Sequence, residues 1–205
     1  MTLGGAVLYW YNQSVGSTSP HSVRDALEAR GLVIPPAQVV SADTRLTYRR
    51  LVRHGNTVYV AGHGPTWGDG WGSPLGKVGV EVSVEEAVKA AELTALNVLG
   101  TIERELGTLD GIACWLRVTG YVNAVQGFTD HAVVMNGFTD LLVDLYGEER
   151  LATRTTIGVQ DLPFGMPVEA DAIFALSYDA ADTKQARPSS QSLRTEDSRE
   201  GSSRE

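Results

Sequence analysis

The chain has 205 residues, with 25 Asp and Glu against 17 Lys and Arg, and a formal net charge of -8. That length suits one globular domain with tails, and the acidic balance argues against a protein that tracks nucleic-acid phosphates, which needs clustered Lys and Arg. A single cysteine, Cys114, excludes an intramolecular disulfide framework and a thiolate zinc cluster.

Residues 1–20 are rich in Gly, Ser and Thr and carry the aromatic cluster Tyr9, Trp10 and Tyr11. They read as an irregular arm. The apolar run 6–11 has no Lys or Arg ahead of it and is too short for a secretory leader. No segment approaches the length that spans a membrane, so a cytoplasmic protein is expected. Residues 21–30 read as a short helix ended by Gly31, after which Pro35-Pro36 forces extended chain. Two strands over 48–61 are joined by a tight turn at His54-Gly55-Asn56. The stretch 62–76, GHGPTWGDGWGSPLG, reads as a long flexible loop. It lacks the Lys-Ser/Thr ending of a phosphate-binding loop, and its Trp67 and Trp71 point to a lid or an interface element.

The clearest helix comes next. Ser83 and Glu86 form a capping box. Val84, Val88, Ala91, Ala95, Val98, Ile102 and Leu106 then recur at spacings of three and four, making one apolar face, and Gly107 ends it. A strand over 112–123 follows, then a helix over 129–146 ended by Gly147, then strands over 153–159 and 168–178. Beyond Ala180 the chain is polar, mixed in charge and almost free of apolar residues, the composition of a disordered tail. The expected domain therefore spans 21–179, with the tail over 180–205.

The element order β-β-α-β-α-β-β predicts an α+β fold in which two helices cover one face of a mixed sheet. The other face is left open. With Val118, Ile157 and Ile173 assigned to it, it is expected to be buried between subunits of a closed oligomer.

One stretch stands out for chemistry: RTTIGVQDLPFGMPVEADAIF, 154–174. Arg154 heads an otherwise uncharged strand, and a second strand follows in which Glu169 and Asp171 alternate with apolar residues. A guanidinium is charged at any cellular pH and its planar fork matches a carboxylate. Arg154 is thus either an anchor for a small carboxylic acid or the partner of Glu169 or Asp171 on the neighbouring strand. The four histidines, His21, His54, His63 and His131, do not fall at a metal-ligand spacing. His63, beside Gly62, is either a pocket acid or base near neutral pH or a solvated loop residue. No nucleophile-elbow context is present, and Asp69 and Asp110 read as turn residues.

Four blocks together resemble the RidA (YjgF) family: YRRLVRHGNTVYVAGHGP from Tyr48, NVLGTIERELGTLDGI, YVNAVQGFTDHAVVMNGFTDLL, and RTTIGVQDLPFGMPVEADAIFAL from Arg154. The resemblance covers about residues 45–178, and the last block is the most specific. It implies a chorismate-mutase-like fold and a homotrimer with sites in the clefts between subunits. For arginine-bearing members it implies hydrolysis of reactive imines and enamines, such as 2-aminoacrylate, to 2-keto acids and ammonia. An iminium carries its own electrophilicity, so no metal or organic cofactor is required.

Carried over by position, Arg154 is similar to the family's carboxylate-binding arginine, Tyr48 to its pocket tyrosine and Gly62 to the glycine at the substrate end. Asn136 matches an asparagine near the site, and Glu169 a glutamate that positions or activates water. Thr156 stands where many members have a cysteine, and its backbone groups could orient water. His63 stands where a glutamine is common, and it is included among the substrate-contacting positions. Gly158 stands where many members have a glutamate, and the 62–76 loop with its two tryptophans is longer than in compact members; together these departures point to a bulkier or more aromatic imine than 2-aminoacrylate. Two other functions remain open on the sequence: a dedicated biosynthetic step on an imine-like intermediate, and a non-catalytic trimer that binds small carboxylates. The ribonuclease label carried by the family is disfavoured by the acidity and the lack of a basic, aromatic-rich groove.

Overall fold

The computed structural model describes residues 22–39 and 46–177. The expected arm over 1–20 and tail over 180–205, with His21 and Tyr178, lie outside the described residues. Helix α1 (Val23–Ala29) starts at Ser22, whose side chain accepts a hydrogen bond from the Asp25 amide. The extended segment behind it leads to strands β1 (Leu51–His54) and β2 (Thr57–His63), joined at Gly55-Asn56. Residues 62–76, expected as an open loop, instead hold a small hairpin of β3 (Thr66–Trp67) and β4 (Gly70–Trp71). The hairpin is tied down by Asn97, whose Nδ2 donates to the Thr66 carbonyl at 2.9 Å and whose Oδ1 accepts from the Thr66 hydroxyl at 3.2 Å.

Helix α2 (Val84–Leu106) begins with the full capping box of Ser83 and Glu86 and ends at Gly107 in the left-handed conformation (φ 82°). The apolar stripe read from the sequence is buried or half-buried throughout. The burial runs further, however. From Thr94 to Ile102 every residue of α2 is buried, because the helix is packed against α3, against the sheet and beneath the segment holding Ile34. Strand β5 (Ile112–Asn123), helix α3 (His131–Tyr146), β6 (Thr153–Val159) and β7 (Val168–Leu176) complete the fold. The five-stranded sheet has the order β1-β2-β7-β5-β6, antiparallel except for the parallel pair β5–β6. The result is the mixed α+β layer expected, with α2 and α3 stacked on one face.

One expectation about the open face is corrected. Val118 is fully buried under the helices, and its ladder partners Ala172 and Arg154 share its side of the sheet. The open face instead carries Thr119, Tyr121, Glu169 and Asp171 in its middle, with Val52, Tyr59 and Ile173 in one row and Ile157 at the far edge. The Tyr121 hydroxyl donates to Asp171 at 2.9 Å. The face is therefore polar at its centre and apolar at its margins. Among the described residues no helix is long and apolar enough to cross a membrane.

Candidate functional site

Alternation along β6 places Arg154, Thr156 and Gly158 on the helix side. The Arg154 guanidinium lies along α3. Its Nη1 donates to Asn136 Oδ1 at 3.0 Å and to Thr139 Oγ1 at 2.8 Å, and its Nη2 reaches the Ala132 carbonyl at 3.4 Å. All three acceptors are neutral. Among the described residues no carboxylate lies within ion-pair distance of Arg154. The cross-strand pairing with Glu169 or Asp171 is removed by geometry, since those carboxylates project from the opposite face. Thr156, next in the row, has a buried hydroxyl oxygen with no hydrogen-bond partner among the described residues.

Glu169 is half-buried on the open face beside Gly62. A Cβ on Gly62 would lie 1.9 Å from Glu169 Oε1, so the backbone there passes directly under the carboxylate. Burial, and secondarily the charge of Asp171, hold the Glu169 carboxyl above its ordinary range. A carboxylate so poised is a better proton acceptor than a solvated one. Tyr48 is exposed just ahead of β1.

The site residues read from the sequence thus fall into two groups. Arg154, Thr156 and Asn136 converge between β6 and α3. Gly62 and Glu169 meet on the open face at β2 and β7, with Tyr48 beyond β1. Strand β5 separates β6 from β7, about 10 Å at normal strand spacing, and the side chains of Arg154 and Glu169 project from opposite faces of the sheet. A single chain does not bring the groups together.

His63 does not belong to either group, and its place among the substrate contacts is corrected. It is 6% exposed. Its Nδ1 donates to the Ala61 carbonyl at 2.7 Å and its Nε2 accepts from the Thr101 hydroxyl at 2.8 Å. Both ring nitrogens are used inside the core, and burial lowers the imidazole pKa to about 4. Two residues of the β6–α3 surface were not singled out by the sequence. Thr139 lies three residues after Asn136, one helical turn on, which is the signal that could have found it. His131 packs on Gly158: a Cβ there would lie 2.3 Å from its Nε2. Among the described residues no group of three or more His, Cys, Asp or Glu could hold a metal.

No family model matches the chain. It is 32% identical over 152 residues to Protein TCP17 of Trypanosoma cruzi, covering 74% of this chain and 92% of that protein. The fold is similar to that of protein Atu1372 of Agrobacterium tumefaciens, whose function is unknown, with a TM-score of 0.67, 30% identity, and 77% and 94% of the two chains covered. It is also similar to a proposed endoribonuclease of Shewanella oneidensis, with a TM-score of 0.69, 22% identity, and 76% and 100% covered.

Proposed function

The chain belongs to the RidA/YjgF family, and on that premise we propose that it hydrolyses reactive imines of small carboxylic acids to 2-oxo acids and ammonia, in a homotrimer whose sites are completed between neighbouring copies. The observation that carries this reading is the state of Arg154. Its guanidinium is fixed by Asn136 and Thr139 and, among the described residues, meets only neutral acceptors, so its charge is available to a ligand carboxylate. Bidentate pairing would hold the substrate and orient its C=N carbon.

The reaction balances without a cofactor. The oxygen of water bonds to the iminium carbon and the water gives up a proton. The C–N bond of the resulting carbinolamine then breaks, leaving the oxo acid and an ammonium ion. Glu169, with its raised pKa, is suited to take the proton from water and return it to the departing nitrogen. The separation of the Arg154 and Glu169 groups within one chain supports a site formed from two copies.

The test is release of ammonia and 2-oxo acid above the spontaneous rate from 2-iminopropanoate made in situ by an amino-acid oxidase. Arg154→Ala is expected to lower kcat/KM by about 100-fold or more, the loss of two charge-assisted hydrogen bonds, with the oligomer intact. Undiminished turnover in that variant would overturn the clamp. A wild-type protein that binds oxo acids yet does not accelerate ammonia release would instead be a non-catalytic binder.

A further inference from the structure

The row Arg154, Thr156, Gly158 does not stop at the clamp. At its far end a groove of about 670 Å³ opens, lined among others by Lys77, Gln126, Phe128, His131, Gly158 and Gln160. Gly158 carries no side chain, and the space beside it is taken from the helix side by the His131 ring. That ring is held edge-on by Phe128, with centroids 5.1 Å apart. Gly158 has an ordinary φ, so the glycine serves space and not backbone conformation.

Charge is distributed unevenly around this groove. The chain as a whole is acidic, yet no Asp or Glu is among the groove's lining residues. His131 and the two glutamine amides can all donate hydrogen bonds, whereas the three N–H groups of Lys77 are already taken up. Lys77 is fixed across the groove floor, donating to Asn123 Oδ1 at 2.8 Å, to the Gln160 carbonyl and to the exposed Asp161 at 3.2 Å. Arg154 reaches the carbonyl of Ala132, the residue after His131. Clamp and groove therefore flank one short stretch of α3, with the Thr156 hydroxyl, unpartnered among the described residues, between them in the row.

Resting on the imine-hydrolase reading above, we infer that the groove is a subsite for the substrate's side chain, and that it takes 2-imino acids whose side chain ends in a hydrogen-bond acceptor, a second carboxylate above all. A four- or five-carbon 2-imino diacid would place one carboxylate on Arg154 and the other against His131 and the glutamine amides. The donor-rich lining makes this a better match than the aromatic side chain suggested by the loss of the family's glutamate. A carboxylate at position 158 would repel such a substrate, and glycine removes it.

The experiment compares imines generated in situ by amino-acid oxidases from aspartate and from alanine, with wild-type protein and His131→Leu. The wild type is expected to favour the aspartate-derived imine in kcat/KM, and His131→Leu to reduce that preference ratio at least tenfold. A wild type with no preference, or a ratio unmoved in His131→Leu, overturns the subsite while leaving the hydrolase reading standing. If neither imine is hydrolysed, the hydrolase reading fails, and calorimetric binding of 2-oxoglutarate against 2-oxobutanoate decides the subsite. A preference for the diacid that His131→Leu abolishes supports it; equal binding overturns it.

Discussion

His63 illustrates how one backbone irregularity redirects a side chain. In β2, Val58 and Val60 point into the core. Strict alternation would next bury residue 62 and expose residue 63. The pairing with β7 shifts register between Val60 and His63, and such a bulge reverses the parity of everything after it. His63 is thereby turned inward and Gly62 outward, under Glu169. The sequence reading ended the strand at residue 61 and put both residues in the loop that follows, so the bulge was not visible and His63 read as a pocket or solvated residue. The consequence is a pH-dependent stability. The folded-state pKa of about 4 lies below the ordinary 6.5, so the unfolded chain binds a proton first as the pH falls. The stability conferred by the neutral buried ring is complete above pH 6.5 and is lost between 6.5 and 4, a total of about 3 kcal/mol. In His63→Gln the amide can bond both Ala61 and Thr101 without titrating. Urea unfolding between pH 7 and 4 should show a shallower loss of stability in that variant; an identical slope would contradict the assignment.

At the level of elements, the chain was legible where local chemistry marks boundaries. The Ser83–Glu86 box and the terminal Gly107 framed α2, and the apolar run over 112–123 and the β-branched run over 153–159 gave β5 and β6 their full length. What was not legible depends on contacts distant in sequence. The assignment of Val118 to the open face failed because the face a residue occupies is set by register shifts in β5, near Cys114 and Arg117. The crossing of α2 and α3 is another such contact. A Cβ on Gly137 would lie 2.1 Å from the Val88 carbonyl oxygen, so the helices meet backbone to side-chain-free backbone. Ala is intrinsically the better helix former by about 1 kcal/mol, yet rigid backbone cannot yield to the added methyl. Gly137→Ala should therefore destabilise the fold by about 1–3 kcal/mol, the usual cost of overpacking. Thermal unfolding reads the sign directly: a raised Tm would contradict this close approach.

For the whole molecule, the arrangement of the sheet decides where chemistry can occur. Arg154 faces α3 at one edge, whereas Glu169 and Gly62 sit on the open face and Tyr48 lies beyond the other edge. That order of motifs was readable in the sequence. Their separation was implied by the resemblance, with its sites in clefts between subunits, but not by spacing along the chain, because it follows from the strand order β1-β2-β7-β5-β6. The open face, with Tyr59 and Ile157 each nearly half exposed around a polar centre, is suited to cover by further copies, and closed cyclic symmetry would repeat the same Arg154–Glu169 juxtaposition at every interface. Mixing two inactive variants tests this claim most directly. Arg154→Ala and Glu169→Gln are each expected to lack imine hydrolysis as homo-oligomers. Refolded or co-expressed together at equal amounts, they should regain about a quarter of wild-type activity, the fraction of sites that draw an intact group from each copy under cyclic symmetry. Mixed oligomers that form but stay inactive would contradict a site completed between subunits.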